Sequence, residues 1–246
     1  MSLSSATGLI RSVKEYFYRG VQQLPIVLTS MSLIFAIAAG SIAHLNLALG
    51  MGVLMPIYTA LLQMILYYIL TKWPSIPPVS WTRSTGDTCN LVPAHTAQQL
   101  EYYTGPKGAG AGEVVPSFWL MSFAFFIGYT ISNAVDTLIT PAQPFSDKIT
   151  HESRNSHAIT VIVTTSLFAI AMLYIRFFIM SGCEGRGYVG LILSILSASG
   201  AASLGYGIYS ISKAGCGSRS VDIFGILSQI LPASATKQNP IVCSSD

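Results

Sequence analysis

PIVLTSMSLIFAIAAGSIAHLNLALGMGVLMPIYTALLQMILYYIL, residues 25–70, contains no Asp, Glu, Lys or Arg. A helix needs roughly 20 apolar residues to cross the hydrocarbon core of a bilayer. A run of 46 uncharged residues is therefore two spans. Ser41, His44 and Asn46 mark the turn, which places the first span near 25–43 and the second near 48–70. Ala36, Gly40 and Ala43 form a small-residue stripe on which another backbone can pack closely. Pro56 predicts a kink in the second span. Lys72 and Trp73 follow as interfacial anchors, so residues 24–71 read as a transmembrane hairpin.

The whole composition agrees with that reading. Charged residues are 9% of the 246-residue chain, where a soluble domain carries roughly 25%. Apolar residues reach 51%, and mean hydropathy is +0.56. These values exclude intrinsic disorder and argue against a cytosolic enzyme or a disulfide-stapled secreted module. The net charge of +3 leaves no polyanion footprint, so no nucleic-acid partner is expected.

Outward from the hairpin, residues 1–23 place Leu9, Ile10, Val13, Tyr16 and Phe17 at helical spacing among Arg11, Lys14 and Arg19. This predicts a short basic amphipathic helix on a membrane face. No cleavable signal is expected, because the first long apolar run starts only near Leu24. Residues 72–116, rich in Pro and Gly, read as an extramembrane loop that buries no core of its own. Three more spans follow within 117–212: Ser117 to Thr140, Ala158 to Met180 and Tyr188 to Ile211. On the last, Gly190, Ser194, Ala198 and Ala202 recur every four residues, with Ser197, Ala201 and Gly205 as a second ridge. That pattern predicts a helix-packing face. The tail, 213–246, holds one apolar helical face over 221–231, too short to span and suited to docking. The fold class is thus all-α, integral to a membrane, with about five transmembrane helices.

Ionisable residues at membrane depth are the first functional candidates. They are Asp136, with Asn133 one turn earlier, and Arg176. Five antiparallel spans put Asp136 and Arg176 near opposite faces, so each is expected to snorkel to its own interface rather than pair with the other. The same topology leaves only the cysteine pairings Cys89 with Cys183 and Cys216 with Cys243. The first two are expected as free thiols, and a bridge between Cys216 and Cys243 stays open. No CxxC, G-x-S-x-G, H-E-x-x-H or P-loop occurs, so no catalytic, metal or cofactor residues are expected. Seven Lys and Arg on the N-terminal side of the membrane against five on the other favour a cytoplasmic N-terminus.

Two stretches carry a resemblance. SFWLMSFAFFIGYTISNAVD (117–136) and GAASLGYGIYSISKAGCGSRSVDIFGIL (200–227) are similar to polytopic membrane proteins of nucleocytoplasmic large DNA viruses. The likeness runs over roughly 117–243 and is most specific where Gly-Tyr-Gly leads into Cys-Gly-x-Arg-Ser-x-Asp-Ile-Phe-Gly. It implies a virion protein of the internal lipid membrane beneath an icosahedral capsid, partnered by lipid and by neighbouring membrane or capsid proteins. It brings no catalytic residues. From the residues alone, a small channel or transporter is the alternative, although polar stations within the spans are few. A membrane-shaping or fusion-accessory role is a weaker one.

Overall fold

The structure is a computed structural model that describes residues 3–73, 75–84, 89, 112–140, 148–180 and 182–224. Among these, five helical stretches are long and apolar enough to cross a membrane: Tyr16–Ala39, Ile42–Leu70, Phe118–Ile139, Glu152–Ile179 and Tyr188–Gly217. The protein is an all-α multi-pass membrane protein. Large apolar side chains such as Ile34, Phe35, Leu167, Ile170 and Ile195 stand exposed along these helices, where lipid covers them.

Helix α1 runs from Leu3 to Ala39 without interruption. The separate amphipathic segment expected at 1–23 is instead the N-terminal part of the first spanning helix. Pro25 lies inside it and supplies no N–H to the carbonyl four residues earlier. That carbonyl, on Val21, accepts the indole N–H of Trp119 at 2.6 Å, so the freed acceptor is satisfied and the helix continues.

The turn after α1 is tighter than the polar residues suggested. Gly40 adopts φ 61, and Ser41 caps the next helix by accepting from the His44 N–H. Gly40 therefore serves the turn rather than a packing stripe, since the left-handed region is where glycine is favoured. Ala36 is buried on α1. His44 and Asn46 belong to the first turns of helix α2, Ile42–Leu70. A π-helical segment, Gly50–Leu54, sits ahead of Pro56, where the helix absorbs the missing N–H by widening.

The expected coreless loop has a folded base. Strands β1 (Thr82–Ser84) and β2 (Gly112–Val114) pair antiparallel, with Thr82 opposite Val114 and Ser84 opposite Gly112. Trp81 is 2% exposed and packs with Leu70 and Val114, against Leu66, Tyr67 and Val189. A single tryptophan between a helix end and a strand was enough to seed a small core, which the Pro and Gly content concealed. Residues 90–111 lie outside the described residues.

Helix α3 covers Phe118–Ile139. Of its most apolar stretch 56% is buried, against 11–22% in the other four. Helix α4, Lys148–Tyr174, continues through a π-helical turn, Ile175–Ile179. Helix α5, Tyr188–Ser220, extends past the expected limit at Ile211, carrying Lys213 with it, and kinks at Gly217, which adopts φ 78. Val221 to Phe224 form a turn in which Asp222 Oδ1 accepts the Phe224 N–H at 3.1 Å. Val221 is fully buried, so the start of the expected docking helix 221–231 is packed inward. Residues 225–231 lie outside the described residues.

Contacts divide the chain into two compact units. One holds residues 1–28, 58–120 and 172–197, and the other holds 29–57, 121–171 and 198–246.

Candidate functional site

The first unit is organised around a buried ion pair. Arg176, in the π-helical turn that ends α4, is 0% exposed. Its Nε donates to Glu184 Oε1 at 2.6 Å and its Nη2 donates to the Cys89 carbonyl at 3.0 Å. The guanidinium carbon lies 5.1 Å from the centre of the Trp119 ring. Glu184 Oε2 accepts from Ser117 Oγ at 2.5 Å, and the Glu184 carbonyl accepts from Ser194 Oγ at 2.6 Å. Ser117 Oγ also accepts the Leu120 N–H at 3.1 Å, which caps the start of α3.

This corrects the expectation that Arg176 snorkels. A guanidinium removed from water needs a carboxylate and further acceptors, and the seven-residue turn after α4 supplies the carboxylate. Cys89 and Cys183 form a disulfide, which corrects the expectation of free thiols there. The bridge joins the loop after β1 to the residue preceding Glu184. It thus holds the Cys89 carbonyl where Arg176 donates. Cys216 is also disulfide-bonded, and Cys243 lies outside the described residues.

Glycine shapes the same turn. Gly182 and Gly185 adopt φ 89 and 135. A Cβ on Gly187 would lie 2.8 Å from the Ser80 Cα, and one on Gly190 would lie 3.0 Å from the Ser80 carbonyl oxygen. Gly190 therefore packs on the loop, not on a helix as its spacing suggested. Ser194 is buried, and its hydroxyl is bound to the turn. The same small-residue pattern that brings two helices together also admits a hairpin.

The second unit keeps its own charge pair. Asp136 on α3 forms a salt bridge with Lys213 on α5 and accepts from Tyr209 Oη at 2.8 Å. Snorkelling alone is again the wrong description, because the carboxylate has a protein cation. Asn133 is fully buried, and its Nδ2 donates to the Val221 carbonyl at 3.5 Å. Asn46 Nδ2 donates to Ser212 Oγ at 2.8 Å. Between α3 and α5 the backbones touch. A Cβ on Gly128 would lie 2.2 Å from the Ala202 carbonyl oxygen, and one on Gly205 would lie 2.4 Å from that of Phe125. Ala202 thus lies in a helix seam as its spacing suggested, and both it and Ala198 are half-buried.

Sequence reasoning missed Glu184, Ser117, Trp119, Tyr209, Lys213 and Gly128. Two signals could have found some of them. Spans three and five run in the same direction, so Asp136 and Lys213, each near an exit, share a depth. A lone Arg at the end of α4 followed by a lone Glu in the next turn was the other.

Chemically, both clusters bind mainly to the protein itself, while Arg176 Nη1 and Asn133 Oδ1 are buried with no hydrogen-bond partner among the described residues. The donors and acceptors around Arg176 and Asp136 join helices, the loop at Cys89 and the turn at Glu184. Among the described residues no group of three His, Cys, Asp or Glu side chains could hold a metal ion. Compared with known proteins, the chain matches no family model, no curated protein and no solved structure.

Proposed function

We propose that the protein is a structural multi-pass membrane protein of a viral assembly, anchoring the internal lipid membrane beneath an icosahedral capsid. The viral assignment rests on the resemblance at 117–136 and 200–227. One structural observation supports the anchoring role: the Arg176–Glu184 pair and the Cys89–Cys183 bridge tie the base of the 72–116 loop to the ends of α4 and α5. A loop tied in this way offers neighbouring membrane or capsid proteins a fixed attachment point, which suits recognition outside lipid. In this reading the role is not catalytic.

The test is excision of residues 100–110. Both strands and both bridged cysteines lie outside that segment. The shortened chain should therefore insert and keep its bridge, while capture of assembly partners from purified virion membranes should fall. Retention of the same partners at the same yield would remove the loop from assembly and the reading with it.

A further inference from the structure

In the first unit, a cavity of about 600 Å³ opens where α4 ends and α5 begins. Its wall combines two chemistries. Arg186 and Ser84 supply a cation and a hydroxyl, while Phe177, Tyr188 and Leu191 are apolar or aromatic. Among the described residues no acidic side chain lines it. Gly182 forms part of its floor, and a Cβ there would lie 3.8 Å from both Arg186 Cγ and Ser84 Cβ, so the two polar side chains flank one point.

Arg186 stands apart from the other arginines of this region. Arg83 is paired with Glu113 and Arg176 with Glu184, whereas Arg186 makes no ion pair among the described residues. The surroundings place the cavity at the level of lipid headgroups. Phe178 is 72% exposed at the end of α4 and Tyr188 is 87% exposed at the start of α5, the positions where aromatic residues meet the membrane–water interface. The anion most available at that depth is a phospholipid phosphate. A soluble-surface arginine would account for the charge but not for the apolar wall beside it.

We infer that this cavity seats the phosphate of an anionic phospholipid. The Arg186 guanidinium donates charge-assisted hydrogen bonds to the phosphate oxygens, and Ser84 lines the wall beside it. Phe177 and Leu191 flank the first methylenes of the acyl chains. A cavity of this volume is within the usual range for a small-molecule site.

The test titrates the detergent-solubilised full chain with phosphatidylglycerol or phosphatidylcholine and counts bound lipids by native mass spectrometry. Phosphatidylglycerol should bind about fivefold more tightly, as one interfacial arginine implies. Arg186→Ala should abolish that preference, and Arg186→Lys should keep part of it. Arg186→Gln provides a milder second variant should Arg186→Ala prove unstable, and it should likewise abolish the preference. Equal binding of the two lipids, or a preference that survives both neutral variants of Arg186, overturns the inference. Inorganic phosphate in large excess should leave the lipid bound. Displacement by it would assign the site to soluble phosphate and overturn the lipid assignment.

Discussion

Arg176 shows how one side chain sets the terms for its surroundings. Fully buried, it requires Glu184, the Cys89 carbonyl and the face of Trp119, and each of these comes from a different segment. Removing one member of a buried pair leaves the other charge uncompensated, at a cost of about 3–5 kcal/mol, whereas replacing both with apolar residues is often neutral. Arg176→Met should therefore lower stability in detergent by about that amount. Adding Glu184→Leu to it should recover much of the loss. Thermal unfolding of the two variants checks this, and a double variant no better than the single one would show that the pair is not the coupled unit described.

At the scale of elements, close packing and covalent linkage divide the work. The α3–α5 seam depends on Gly128, where a Cβ would meet the Ala202 backbone, which cannot step aside as a flexible side chain would. Gly128→Ala should destabilise by about 1–3 kcal/mol through overpacking. Gly207 lies on the same helix as Ala202 with nothing within 4 Å of its would-be Cβ. Gly207→Ala should be neutral or stabilising, by up to about 1 kcal/mol of helix propensity. The contrast, read by thermal unfolding of both variants, separates steric packing from propensity. The loop base answers to a different test. Cys183→Ser removes a bridge between residues 94 apart in sequence. It should cost about 2–4 kcal/mol, toward the lower end because membrane spans already restrict the unfolded chain. Limited proteolysis should also cut near Cys89 faster in that variant than in the parent. An unchanged cleavage rate would mean that β1, β2 and Trp81 hold the loop base unaided.

For the whole molecule, the described ionisable groups at membrane depth are engaged with partners in the protein. Arg176 has Glu184 and Asp136 has Lys213. A conducting path needs polar stations that exchange partners with water or ions, because an unpaired charge in hydrocarbon is costly. The purified chain in liposomes should therefore carry no ion flux above that of empty vesicles. A sustained, saturable flux that Asp136→Asn or Arg176→Met alters would favour the channel reading over the structural one.

Much of this architecture was legible along the chain. An uncharged run of 46 residues has to be two spans, and length and hydropathy set the other three, because the bilayer imposes one dimension on every crossing. The position of Asp136 and Arg176 at span ends was also readable, and so was the tendency of Ala202 and Gly205 to sit in a seam. What those residues touch was decided only by tertiary structure. Gly190 and Ala202 share one small-residue pattern, yet one meets the Ser80 backbone and the other meets Gly128. Pro25 looks like a helix breaker until Trp119 supplies the hydrogen bond that the Val21 carbonyl lacks. Cys89 and Cys183 shared a membrane face in the sequence, but the glycine-rich turn brings Cys183 to Cys89. The physical reason is common to all three. Periodicity records the solvent that a residue prefers, whereas partner choice depends on contacts between segments far apart in sequence, which only the folded chain brings together.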